Sequence, residues 1–302
     1  MRRPAVVAAL LLAVVGVDAS VLLLHDRATP YAADQAVLDF RRETAASGVP
    51  SPSPGSARSA PATPAGARAV RSTLSAHPTA TARSAVRVAP STAAPAGRAP
   101  SGHVAEGVYR YATSGHEQVD ALGGARHDYP AESAVTYRHG GCGDEDRWQP
   151  LKERYSANTV CRGAHGLEAR VSVQRRQFFG QSEEQDLVCA PGLLLVPDQP
   201  RPGQASSGSC RSSDTVVQLS VTVRDVGPMT VGSRQVVAVH VTVDAQLTGS
   251  TRGTTHREEW FTRDGLLVRG TSTTETDRDT SAGVVHYSEV YDLRLESLDP
   301  ER

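Results

Sequence analysis

The stretch VQLSVTVRDVGPMTVGSRQVVAVHVTVD, residues 217–244, decides the fold class of this chain. Apolar residues recur at every second position in two runs, which are Val217, Leu219, Val221 and Val223 and then Val237, Val239, Val241 and Val243. A period of two is typical of a strand with one buried face. Gly227-Pro228 and Val231-Gly232-Ser233 lie between the runs and predict turns.

The alternation continues toward the C-terminus. Arg263-Asp264-Gly265 separates two strand-like runs and predicts a hairpin, and residues 285–295 form a long last strand. One face of these strands is apolar, while the other is rich in Thr, Arg and Glu. No helical crossover fits between them, so the sheet should be antiparallel.

We therefore predict a mainly β domain over residues 106–302, built as a curved antiparallel sheet or half-barrel. A β-sandwich is the alternative. The segment PDQPRPG, residues 197–203, also allows a division into two halves, 106–195 and 204–302.

Four cysteines, Cys142, Cys161, Cys189 and Cys210, lie in this domain. An even number in an exported chain predicts disulfides. Of the three pairings we favour the sequential one, Cys142–Cys161 and Cys189–Cys210. Each bridge closes a loop of about 20 residues and should stabilise the fold by roughly 3 kcal/mol. The cysteines are too far apart in sequence for a metal or redox pair.

The N-terminus carries a nearly unbroken apolar run, residues 4–24, behind Arg2 and Arg3. About 20 apolar residues span a bilayer, and the arginines orient the start toward the cytoplasm. We predict a single-pass anchor over residues 1–24, in contact with membrane lipid, with all later residues extracytoplasmic. A cleaved signal peptide, and secretion, is the alternative. Asp18 lies within the run and is a candidate contact for a membrane partner.

Residues 25–44 predict a short juxtamembrane helix, because Ala33, Ala36, Val37 and Phe40 fall on one helical face. Residues 45–105 are rich in Pro, Ala and Ser and hold six arginines and no acidic residue, which predicts a disordered linker. We expect this linker to hold the β domain off the membrane. Its arginines are candidates for contact with an anionic envelope polymer.

Charge separates the two parts of the chain. The net charge of the whole chain is −1, but residues 106–302 contain 21 basic and 28 acidic side chains. An acidic domain argues against nucleic acid as a partner.

Catalytic motifs are missing from the sequence. His116-Glu117-Gln118-Val119-Asp120 lacks the second histidine of a zinc protease, and we find no nucleophile elbow, P-loop or dinucleotide fingerprint. Asp144-Glu145-Asp146 is a candidate for Ca²⁺, but we favour an acidic solvent loop. Trp148 and Trp260 are candidates for a ligand groove. We expect no cofactor, no metal and no enzymatic activity.

Residues 25–30 (HDRATP) and 34–41 (DQAVLDFR) resemble the juxtamembrane stretch of membrane-anchored exported proteins from high-GC actinobacteria. The resemblance covers residues 1–44 and, in the outer part, the Cys-Trp-Cys arrangement. That family has no assigned activity, so it implies no residue roles. The predicted half-barrel is similar in architecture to periplasmic lipid carriers.

The function we expect is an extracytoplasmic binding or scaffolding module, with a hydrophobic ligand as the narrower form. An envelope hydrolase or transferase with a nonstandard site is the alternative.

Overall fold

The computed structural model describes residues 26–47, 102–280 and 283–302. The predicted anchor with Asp18, and all but the ends of the predicted linker, lie outside these residues. No helix in the described part of the chain has both the length and the apolar character needed to cross a membrane.

The described residues form one α-helix, a 3₁₀ turn and thirteen strands. The helix is α1 (Ala33–Ala46) and the 3₁₀ turn is Ala121–Gly123. The first seven strands are β1 (Gly107–Val119), β2 (Ala125–Asp128), β3 (Glu132–Gly140), β4 (Gly143–Leu151), β5 (Arg154–Gly163), β6 (Gly166–Phe178) and β7 (Gln181–Pro197). The others are β8 (Ala205–Arg211), β9 (Thr215–Val231), β10 (Arg234–Gly249), β11 (Thr251–Thr262), β12 (Leu267–Thr280) and β13 (Gly283–Leu295).

All thirteen strands belong to one antiparallel sheet. From β3 to β13 each strand pairs with the next in sequence. On one edge β1 pairs with β3 and then with β2, while its other edge pairs with β13. This last pairing makes the sheet ring-like, although it is not a true barrel. The mainly β, curved antiparallel fold is thus confirmed, and both predicted halves contribute to the same sheet.

The predicted turn at Gly227-Pro228 is wrong. Strand β9 runs through both residues, and Pro228 lies opposite Val237. Strand β8 pairs with β9 only as far as Thr222, so beyond this point one side of β9 is an edge where the missing N–H of Pro228 breaks no ladder bond. The other predicted turn, Val231-Gly232-Ser233, is confirmed, because the hairpin turns at Gly232, whose φ of +56° suits glycine.

Helix α1 packs on the sheet. Its apolar face, formed by Ala33, Ala36, Val37 and Phe40, is buried with Val108 of β1 and Ala134 of β3. Just before the helix, Tyr31 N donates to Pro150 O at 3.0 Å, and Thr29 O accepts from Lys152 N at 2.9 Å. The chain from residue 26 to 47 is therefore part of the same compact unit as the sheet.

This packing overturns one expectation from the sequence. Ser47 and Gly102, which flank the undescribed part of the linker, both belong to the unit that contains the sheet. The described residues 26–47 thus belong with the sheet, whereas we expected the linker to separate this segment from the β domain. The periodicity of α1 identified a helix but did not show what covers its apolar face.

Both disulfides have the sequential pairing. Cys142, in the turn between β3 and β4, is bonded to Cys161 of β5. Cys189 of β7 is bonded to Cys210, directly opposite on β8. All four cysteines are thus paired, and the predicted connectivity is confirmed.

Candidate ligand cavity

A cavity of about 180 Å³ lies inside the ring of strands. Its walls come from strands β3 to β13 and are amphipathic. The valines, leucines and phenylalanine in the walls are Val135, Val160, Leu167, Leu187, Leu193, Leu195, Val196, Val217, Leu219, Leu247, Phe261, Leu267 and Leu293. The charged residues and amides are Asp146, Arg154, Asn158, Gln174, Arg176, Gln185, Arg257, Glu259 and Glu289.

Polarity increases along β6 from one end of the cavity to the other. The inward residues of β6 are, in order, Leu167, Ala169, Ser172, Gln174 and Arg176. A register shift after Ala169 keeps the later three on the inward face. The sequence of β6 thus builds an apolar end and a charged end of one wall.

The opposite wall changes in the same direction. In β13 the cavity-lining residues are Leu293, Tyr291 and Glu289. Glu289 contacts Arg154, and Arg154 lies beside Arg176 because Tyr155 pairs with Arg175 in the neighbouring strands. The polar ends of both walls therefore meet at Arg154.

Arg154 is 2% exposed and forms a two-pronged pair with Glu289. Its Nε donates to Glu289 Oε1 at 3.1 Å and its Nη2 to Oε2 at 3.3 Å. Tyr129 also donates its hydroxyl to Glu289. Burial raises the pKa of Glu289, but the positive charges of Arg154 and Arg176 outweigh burial and leave the pKa below its usual value.

Glu117 of β1, which is fully buried, lies beside this pair. It accepts from the Tyr287 hydroxyl at 3.1 Å and contacts His127 Nδ1 at 3.2 Å. Burial lowers the pKa of His127, but the hydrogen bond and charge of Glu117 outweigh it, so the net shift is upward. The two buried glutamates at this end, Glu117 and Glu289, thus each have several donors around them.

Arg176 is held in place by an aromatic ring and an amide. Its guanidinium carbon lies 3.9 Å from the centroid of the Tyr287 ring. Its Nη2 donates to Gln174 Oε1 at 2.9 Å. The side chain therefore has a fixed direction while part of its hydrogen-bonding capacity remains unused.

Three buried donors in the cavity walls have no hydrogen-bond partner among the described residues. They are Arg154 Nη1, Arg176 Nε and Gln185 Nε2. Leaving a buried donor unsatisfied costs about 1–3 kcal/mol. Because the neighbouring carboxylates are already occupied, the unmet requirement at this end of the cavity is for acceptors.

Asp146 of β4 also lines the cavity and is hydrogen-bonded to Asn158, not to the Arg154–Glu289 pair. Its Oδ1 accepts from Asn158 Nδ2 at 2.9 Å. Burial raises the pKa of Asp146 to about 7, so the carboxyl group holds its proton over a wide pH range.

The two tryptophans lie on opposite faces of the sheet. Trp148 is 4% exposed, lines the cavity and donates its Nε1 to Ser133 Oγ at 2.9 Å. Trp260 points outward, because its neighbours Glu259 and Phe261 line the cavity. There it stacks on His240 at 4.1 Å between ring centroids. The structure therefore places Trp148 at the cavity and does not bring Trp260 to it.

Sequence reasoning assigned none of the charged residues to a cavity, although it named Asp146 as part of a Ca²⁺ candidate. Neither Arg176 nor Gln174 was assigned to an inner face from the sequence. In β12 the inward residues are Ser272, Thr274 and Thr276, so the polar face of that strand is the buried one. The available signal was the gradual rise in polarity at alternate positions of β6.

Comparisons with protein-family models, curated proteins and solved structures found no match to this chain.

Proposed function

We propose that this protein is a binding module that encloses an amphipathic anion, an alkyl chain with a carboxylate or phosphate head. The observation that carries the proposal is the set of three unpartnered donors, Arg154 Nη1, Arg176 Nε and Gln185 Nε2, at one end of an amphipathic cavity. Buried guanidinium groups bind carboxylates and phosphates through directional, charge-assisted hydrogen bonds.

The apolar end of the cavity suits the alkyl part of such a ligand. Leu167, Leu193 and Phe261 line this end, and the buried valines of β9 and β10 that pack in the same hydrophobic cluster do not line the cavity. Burying a methylene group there gains about 0.8 kcal/mol. The rise in side-chain polarity along β6 then orients the ligand. Its alkyl chain lies near Leu167 and its charged head near Arg176.

An anionic head fits better than a cationic or a neutral one. A cation would meet Arg154 and Arg176, both of which are charged. A neutral hydroxyl head would satisfy fewer of the three donors than a carboxylate with its several lone pairs.

We favour binding over catalysis. Glu289 has a lowered pKa and is held by Arg154, which makes it a poor proton acceptor. One observation favours the alternative of an envelope hydrolase or transferase, because Asp146 keeps a proton to about pH 7 in the same cavity. Under that alternative Asp146 would act as a general acid, and Asp146→Asn would abolish turnover.

We also propose that the domain works outside the cytoplasmic membrane. The two disulfides support an oxidising compartment, and the apolar residues 4–24 support a single-pass anchor. Because residues 26–47 pack on the sheet, an anchored chain would hold the ring close to the bilayer, which is a source of amphiphiles. Contact of the linker arginines with anionic envelope polymer remains a prediction.

Mass spectrometry of an organic extract of the full-length protein tests the proposal. The extract of native protein should contain a stoichiometric acidic amphiphile that is lost in the double variant Arg154→Met, Arg176→Met. Arg175→Met serves as the matched control, because Arg175 faces outward and donates to Ser182. An extract of native protein without such a compound, after purification in mild detergent, would count against the proposal.

A further inference from the structure

Two histidines and an aspartate meet at the hairpin between β3 and β4. His139 and Asp144 are directly opposite one another in the sheet, one position before the Gly140–Gly143 pair that closes the turn. Side chains of such opposed residues lie on the same face of the sheet. Asp146 and Trp148 line the cavity, so by alternation His139 and Asp144 lie at the rim of the ring on its inner face.

The third member comes from the segment that leads into β1. His103 Nδ1 lies 3.0 Å from Asp144 Oδ1, and His139 Nε2 lies 3.7 Å from the same oxygen. One ligand atom from each of the three residues lies within 4.8 Å of the others. Ligand atoms at bond lengths of about 2.0–2.1 Å around a tetrahedral ion are about 3.3 Å apart, so small side-chain rotations reach that geometry.

Neighbouring groups hold the three side chains in these positions. Asp144 Oδ2 accepts from Val104 N at 3.1 Å, which leaves Oδ1 directed at the histidines. Glu106 Oε1 accepts from His139 N at 2.8 Å and lies 3.9 Å from His139 Nδ1. A carboxylate behind a ligating imidazole is the usual outer partner of a metal site.

We propose that His103, His139 and Asp144 bind a divalent transition metal ion of the zinc class. Two imidazoles and one carboxylate are a common donor set for such ions, with the remaining position left to water. Both histidine side chains are about half exposed, at 46% and 48%, so an ion and its water can reach them. The ion would fasten residues 103–104 to the β3–β4 hairpin at the rim of the ring.

The alternative is that these residues form a hydrogen-bonded cluster without an ion. In the structure His139 Nε2 contacts Val104 O at 2.9 Å, which a metal-bound His139 would give up. Added metal distinguishes the two arrangements. A metal site binds the ion, whereas a cluster held only by hydrogen bonds does not.

Titration of chelator-treated full-length protein with Co²⁺ and then Zn²⁺ tests the proposal. Co²⁺ should give the visible d–d absorption of a site with few ligands, at one equivalent, and Zn²⁺ should remove that absorption. Isothermal titration should give one Zn²⁺ per chain. No absorption and no heat of binding would overturn the proposal.

Variants show which residues hold the ion. His103→Ala and His139→Ala should abolish the Co²⁺ absorption, while Glu106→Gln should weaken Zn²⁺ affinity about 10-fold through its effect on His139. The exposed His165 lies outside the cluster, so His165→Ala should bind like the native protein. Circular dichroism confirms that each variant is folded. Native-like Zn²⁺ affinity in His103→Ala and His139→Ala would place the ion elsewhere and contradict the proposal.

Discussion

Arg154 and Glu289 are joined by two hydrogen bonds, of 3.1 and 3.3 Å, at the charged end of the cavity. The pair is buried on both sides, at 2% and 3% exposure. It occupies Nε and Nη2 of the guanidinium and leaves Nη1 without a hydrogen-bond partner among the described residues. The same residue thus stabilises the fold and supplies part of the proposed binding site.

Removing the carboxylate should destabilise the protein. Glu289→Gln leaves Arg154 as a buried charge with a weaker partner, and breaking a buried pair costs about 3–5 kcal/mol. Urea unfolding followed by circular dichroism measures the change. The exposed Glu145→Gln serves as control and should leave the free energy of unfolding within about 0.5 kcal/mol of native. Equal stability of the two variants would contradict the buried-pair account.

Asp146 should make stability depend on pH. The folded protein holds this proton to about pH 7, whereas the unfolded chain releases it near the ordinary value of 3.8. Stability should therefore fall as the pH rises through this window, by at most ~4 kcal/mol. Asp146→Asn mimics the neutral acid, so it should be more stable than native protein at pH 8 and equal to it at pH 4.

Urea unfolding at both pH values gives this comparison. The exposed Asp186→Asn is the control and should follow the native protein throughout. Equal free energies of unfolding for the native protein and Asp146→Asn at pH 8 would contradict this prediction. They would show that burial does not raise the pKa of Asp146.

The disulfides should contribute measurably to stability. Native protein denatured without reductant should take up no thiol label, because all four cysteines are paired. The double variant Cys189→Ala, Cys210→Ala opens a loop of about 20 residues and should lose roughly 3 kcal/mol of unfolding free energy. Label on two cysteines of unreduced protein would refute one of the bridges.

Helix α1 should stay on the sheet when the chain is cut in the linker. Limited trypsin digestion at the linker arginines should give an N-terminal fragment that co-elutes with the β domain in size-exclusion chromatography. Phe40→Ala should release this fragment, because Phe40 is 6% exposed, whereas Leu38→Ala should not, because Leu38 is 51% exposed. Separation of the native fragments would contradict the docking of α1.

Sequence reasoning reached the strands, the disulfides and the helix because each has a local signal. Alternation predicts strands such as β10, and cysteine spacing favours sequential bridges. It did not show that Phe40 packs against the sheet or that Arg176 faces the cavity. Both depend on which face of the sheet the ring encloses. It named Asp144 but missed its pairing with His139, because the two residues come opposite one another only once the hairpin register is known.

The binding of an acidic amphiphile inside the ring is the central claim, and Trp148 reports on it directly. Trp148 lines the cavity and Trp260 lies outside it, so Trp260→Phe leaves one cavity reporter. In this background we would titrate the full-length chain with bromodecanoic acid and, separately, with bromodecanol. The two probes share an alkyl chain and a fluorescence-quenching bromine but differ in the head group.

The acid should quench Trp148 fluorescence at a concentration at least about 10-fold lower than the alcohol, because charge-assisted hydrogen bonds are worth about 1.5–3 kcal/mol. Arg176→Met should remove this preference, and Arg175→Met should retain it. Equal quenching by acid and alcohol in the native background, or a preference that survives Arg176→Met, would contradict the account.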